Sequence, residues 1–269
     1  MRFTTKKLGV GLAALLLTLV MNSRAAADTL DLTTAGSSGF VGGAFFQQTS
    51  PQPTGTGVIQ PFLRLQNNGV EQGYNTSARP IEAGYNSKTD PNFTRDLLLS
   101  SVPVVNINGT AYRQFLLDIN ESNGQNRELL SLDRLQIFQS PNGNISQYAN
   151  LGTKIYDLDG TGNNAVLLNY DLNHGSGSGD MFANIPDALF DPSLPYVNLY
   201  SLFGNTMGAD GTSDAGFEEW ATLGGNTPPV NEVPAPATLL FAALGCGVGM
   251  VGYTIRSVRK HRKSALKPV

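Results

Sequence analysis

Leu132-Asp133-Arg134-Leu135-Gln136-Ile137-Phe138-Gln139 is the stretch whose pattern decides the fold class. Leu135 and Ile137 fall on one side of an extended chain and Gln136 on the other, the period-two alternation of a half-buried strand. Phe62-Leu63-Arg64-Leu65-Gln66 repeats the pattern upstream, with Arg64 and Gln66 directed away from the leucines. Further short apolar or alternating runs lie at 97–106, 112–119, 154–158, 165–172, 181–185 and 196–203. Turn-forming residues separate them: 106–109, Pro141-Asn142-Gly143 and Asp159-Gly160, where the backbone needs positive φ or a local side-chain cap. No long stretch holds a 3.6-residue apolar period. The exception is 127–135, where the spacing of Leu129, Leu130 and Leu135 predicts a short helix. Many short strands without helical crossovers predict an all-β fold, an antiparallel β-sandwich of jelly-roll-like kind, over 58–222.

Outward from this region the composition changes. Residues 28–57 are rich in Gly, Ser, Thr and Gln and are broken by Ser50-Pro51-Gln52-Pro53, which predicts a flexible lead-in with one strand at 39–47. Residues 223–232 carry Gly224-Gly225 and Pro228-Pro229 and are expected to be a linker. At the start, Arg2, Lys6 and Lys7 precede an apolar stretch from Leu8 to Val20, then Ala25-Ala26-Ala27; residues 1–27 have the layout of a secretory signal peptide cut before Asp28. At the other end, 237–255 is uncharged and long enough to cross a ~30 Å hydrocarbon core as a helix. The basic residues Arg256, Arg259, Lys260, Arg262 and Lys263 follow within 256–269, so this tail is expected on the cytoplasmic side of the membrane and the ectodomain outside.

All 21 acidic residues lie in the exported part, against eight of the 18 basic ones, so that region carries a net charge of −13 while the whole chain carries −3. Such a surface disfavours nucleic acid, whose phosphates need Lys and Arg. The single cysteine, Cys246, sits in the apolar tail segment, which excludes disulfides and a cysteine zinc site from the exported region.

Val233-Pro234-Ala235-Pro236-Ala237-Thr238-Leu239-Leu240, the glycines at 245, 247 and 249, and the basic cluster together resemble the PEP-CTERM sorting signal over 233–269. That resemblance implies a bacterial protein handled by an exosortase partner, first anchored in the inner membrane and then released to the cell surface or extracellular matrix. Ala235 departs from the glutamate usual at that place, which puts processing in doubt more than delivery. A second resemblance, to a group of PEP-CTERM ectodomains, rests on EQGYNT from Glu71, the segment 112–138, GSGSGDM from Gly175 and GFEEW from Gly216. It implies a β-sandwich and export, with no assigned chemistry.

Three constellations bear on chemistry. Asp157, Asp159, Thr161 and Asn163 place oxygen ligands as in the first half of a calcium loop, but Leu168 stands where the closing carboxylate belongs; the alternative is a polar β-turn. His174, the serines after it and Asp180 have the residue types of a hydrolase triad, yet they share one glycine-serine loop where triads draw on separate rigid elements. Glu218 and Glu219 are adjacent, so on a strand they point to opposite faces and do not meet at one glycosidic bond. Trp220 and Phe217, and the strip Tyr196, Asn198 and Tyr200, suit either packing or a sugar face. The expectation is an exported, non-enzymatic surface or matrix protein that binds exopolysaccharide and needs no cofactor, calcium being the one ligand weighed. A carboxylate-dependent glycosidase and an uncleaved single-pass envelope scaffold are the alternatives.

Overall fold

The computed structural model describes residues 28–49, 59–122, 127–160, 162–175, 177, 179–206, 211–214 and 216–223. The expected signal peptide, the linker beyond Leu223, the sorting signal, the apolar span and the basic tail lie outside these residues, as do Thr161, Ser176 and Ser178. The described chain is all-β. Its only helical turns are short 3-10 segments, and among the described residues no helix is long and apolar enough to cross a membrane.

Among the described residues fourteen strands form two sheets. The first orders β1 (Thr29–Asp31), β11 (Ala165–Asn169), β9 (Leu129–Ser140), β13 (Tyr196–Phe203) and β5 (Glu71–Tyr74), with β10 (Thr153–Asp157) against β9 and β6 (Leu97–Leu98) against β13. The second orders β2 (Ser38–Val41), β3 (Ala44–Gln48), β12 (Met181–Pro186), β8 (Thr110–Asp118), β14 (Glu218–Leu223) and β4 (Ile59–Leu65), with β7 (Val104–Ile107) against β8. Pairing is antiparallel except between β1 and β11.

Alternation supplies one apolar face to each sheet, and the two faces share one core. Leu130, Leu132, Leu135, Ile137, Val197 and Leu199 of the first sheet and Leu63, Phe115, Leu117, Met181, Ala183 and Trp220 of the second belong to a single buried cluster. The Trp220 indole N–H crosses between the sheets and donates to Ser201 Oγ at 3.0 Å. Trp220 is therefore a core residue, its one polar atom satisfied by the opposite sheet.

Two expectations change. The predicted short helix at 127–135 is the beginning of β9, a strand flanked by β11, β10 and β13. The cause is a bulge: Leu202 pairs with Arg134 and Phe203 with Leu132, so Asp133 is an extra residue. The core-facing positions then run Leu130, Leu132, Leu135, Ile137, and the three-residue step across the bulge imitates a helical period. The segment 28–57 holds three strands within its described part where a flexible lead-in with one strand was expected. The stretch 39–47 is a hairpin whose two-residue turn is Gly42-Gly43, both at positive φ (57° and 80°), as a type I′ connection demands. Phe46 and Ala44 enter the main core from it, and Asp28 N–H donates to Asn164 Oδ1 at 2.9 Å. Asn108-Gly109, both at positive φ, close the β7–β8 hairpin in the same way.

Candidate functional site

The strip Tyr196, Asn198 and Tyr200 shares the outer face of β13, but it is not an open binding face. Asn198 is fully buried and its amide donates to Ser140 Oγ at 3.0 Å and Leu151 O at 3.1 Å. Tyr200 packs with Tyr74, Phe138 and Leu151, and Ile81, Tyr85, Ile145 and Tyr148 close over them. These rings form a second, smaller core under the connecting segments.

The calcium-loop residues also find local partners. The Asp157 carboxylate is taken by Lys154 and Gln136, and its other oxygen accepts from Asp159 N–H at 3.1 Å, the cap of a turn. Asp159 Oδ2 lies 3.4 Å from Arg134 Nε, and Asn163 is exposed. Burial raises the Asp159 carboxyl above its usual range against the pull of Arg134. Among the described residues no group of three or more His, Cys, Asp and Glu side chains is arranged around a common ion position. His174 is exposed beside Asp171, with Nε2 to Oδ1 at 3.7 Å, while Asp180 is buried and accepts from Ile119 N–H at 2.8 Å. The histidine and that acid do not meet.

What does converge on the surface lies where β4 and β14 run side by side. Arg64 and Glu219 are direct cross-strand partners on the outer face, and Arg64 Nε reaches Glu219 Oε1 at 2.6 Å. The segment following β5 returns along the outer edge of β4: Lys88 N–H donates to Arg64 O at 2.8 Å and Arg95 N–H to Phe62 O at 3.0 Å. An edge strand that would otherwise offer free backbone groups is thereby covered. The same segment sets Phe93 over the Arg64 guanidinium, 3.2 Å from its ring centroid, with Phe217 on the guanidinium at 4.5 Å. Lys88 Nζ stands 5.8 Å from the Phe217 centroid and makes no ion pair among the described residues. With Gln66, Thr89 and Asp90 these residues line an open cavity of about 320 Å³.

The cavity offers two half-exposed rings fixed by a guanidinium, one ammonium, an amide, a hydroxyl and a carboxylate. Stacked rings with a few directed polar groups are the chemistry that holds a sugar ring, its C–H face on an aromatic and its hydroxyls on the polar groups. The sequence marks Phe217 as a ring that suits a sugar face, whereas no pattern in it marks Lys88 or Phe93. They sit in an irregular segment with no motif, and only the backbone bonds to β4 bring them to Arg64. Glu218 and Glu219 diverge as adjacent strand residues must: Glu219 faces Arg64 outside, and Glu218 is fully buried within.

No family model, curated protein or solved structure matches the chain.

Proposed function

We propose that this chain is an exported, non-enzymatic surface or extracellular-matrix protein: a jelly-roll-like β-sandwich carried to the membrane by an N-terminal signal, sorted by an exosortase through its C-terminal signal, and bound to exopolysaccharide. The observation that carries the reading is the tripartite tail, Val233-Pro234-Ala235-Pro236 before an uncharged span and a basic cluster, on a chain that begins with a signal-like stretch. The cavity between Arg64, Phe93, Phe217 and Lys88 supports the glycan-binding part. The net charge of −13 on the exported region favours a neutral, hydroxyl-rich polymer over a polyanion.

Ala235 favours one second reading, an uncut envelope anchor. Intact-mass analysis of the protein from membrane and extracellular fractions of its host separates the two. A new C-terminus within 233–236 supports the sorted matrix protein. A mass that retains 237–269 refutes release and leaves an anchored scaffold.

A further inference from the structure

Glu218 opens β14, the last described strand, and turns inward from the second sheet. It is fully buried, and neither of its carboxyl oxygens meets an N–H or O–H donor. It meets two other carboxyls. Glu71 begins β5 in the first sheet and is fully buried; Glu121 lies three residues past the end of β8 and is 3% exposed. Each of these is anchored through one oxygen. Asn67 N–H donates to Glu71 Oε2 at 2.9 Å, and Asp214 N–H donates to Glu121 Oε2 at 2.8 Å. Their remaining oxygens have no donor, and Glu218 lies between them within hydrogen-bonding reach of both.

The charged and polar groups around this cluster do not neutralise it. Lys88 acts on Glu71 only from a distance, and Ser213, whose side chain hydrogen-bonds to Glu71, is neutral. Asp214 adds a further acid beside Glu121, and its own carboxylate is held by Arg127 Nε at 2.5 Å and Ser122 N–H at 3.2 Å. Three ionised carboxyls closed off from water and from any cation would each carry a desolvation cost of several kcal/mol. Carboxyls in mutual contact instead share protons, one acting as donor to the next. Burial holds Glu71 above the usual carboxylate range against the pull of its hydrogen bonds, and lifts Glu121 to about 8; burial and then the neighbouring Glu71 and Glu121 hold Glu218 well above that range.

We propose that Glu71, Glu121 and Glu218 form a proton-bound staple that ties the two sheets together at the start of β14, and that the staple opens as its surroundings become alkaline. Glu218 is the central member, and two O–H···O bonds join it to its neighbours. Raising the pH releases those protons to solvent and leaves like charges facing one another across the sheets. The sign follows from linkage. Groups whose folded pKa is raised contribute stability that is fully present below about 4.5, the ordinary glutamate value, and that is lost as pH rises through the folded value. Each proton retained only by the folded state changes the folding constant about tenfold per pH unit in that window. The device does not depend on the glycan reading.

The test uses the full chain in mild detergent, its urea midpoint followed from about pH 5 to about pH 9. The expected result is a midpoint that falls with pH across the window between about 4.5 and about 8, and a flattened profile in Glu218→Gln, whose amide donates to both neighbours without a titrating proton. Infrared spectra of the wild type keep the proposal testable if that variant does not fold. With ¹³C-labelled glutamate, a protonated-carboxyl stretch at pH 7 must move with the label, which separates it from the buried acid Asp180. A flat or rising wild-type midpoint overturns the proposal, as does the lack of a label-sensitive band. A midpoint raised at pH 8 by millimolar calcium, and lost in Glu218→Gln, also overturns it and makes the cluster a cation site.

Discussion

Replacing Arg64 by methionine tests whether the β4–β14 surface is held by its arginine. The guanidinium side chain is 16% exposed and that of its partner Glu219 only 6%, so the pair is largely out of water. The variant keeps an unbranched stem between Phe93 and Phe217 but removes the cation. Leaving a carboxylate without its partner costs about 3 kcal/mol here, the lower end of the buried-pair range because solvent still reaches one side. The lost guanidinium–ring contacts, at 3.2 and 4.5 Å, add about 1–2 kcal/mol. Thioether–aromatic contact returns about 0.5–1 kcal/mol. The expected net loss is about 3–4 kcal/mol in equilibrium urea unfolding at unchanged m-value. Adding Glu219→Gln removes the stranded charge, so Arg64→Met/Glu219→Gln should exceed Arg64→Met in stability by about 1–2 kcal/mol, with a coupling energy near ~2 kcal/mol. A loss below about 1 kcal/mol for Arg64→Met, or strict additivity of the two substitutions, would refute the reasoning, because the pair would then be no more than a surface ion pair.

Trp220→Leu should cost about 3–4 kcal/mol, from lost ring volume and from a Ser201 hydroxyl deprived of its donor; a loss under about 1 kcal/mol in thermal or urea unfolding would contradict the shared core. In isothermal titration with a neutral glucan such as dextran and with the host's own exopolysaccharide, Phe217→Ala and Lys88→Ala should each weaken binding about tenfold or more. Their binding should change little with salt; equal affinity for wild type and both variants would rule out this cavity.

Period-two runs such as Leu63-Arg64-Leu65 were enough to place strands, because a strand's two faces are a local property of the backbone. Asn106–Gly109 was readable as a turn for the same reason: its positive-φ positions are set by residues in sequence contact. At β9 local pattern failed, since a bulge at Asp133 shifts the phase and only pairing with β13 reveals it. The hairpin at Gly42-Gly43 failed differently, because a glycine-rich segment looks loose until its strands have a sheet to join.

What the sequence by itself determined was the all-β class, the acidic charge of residues 28–232 and the opposed directions of Glu218 and Glu219, each following from composition or from a repeat of two residues. The tertiary structure alone decided which groups meet. Phe93 reaches Arg64 only because a returning segment covers the β4 edge, and Glu71, Glu121 and Glu218 touch only because two sheets close on one another. Contacts between residues 29 to 147 positions apart, as these are, leave no periodic trace in a chain, because they are fixed by how faces pack and not by how neighbours alternate.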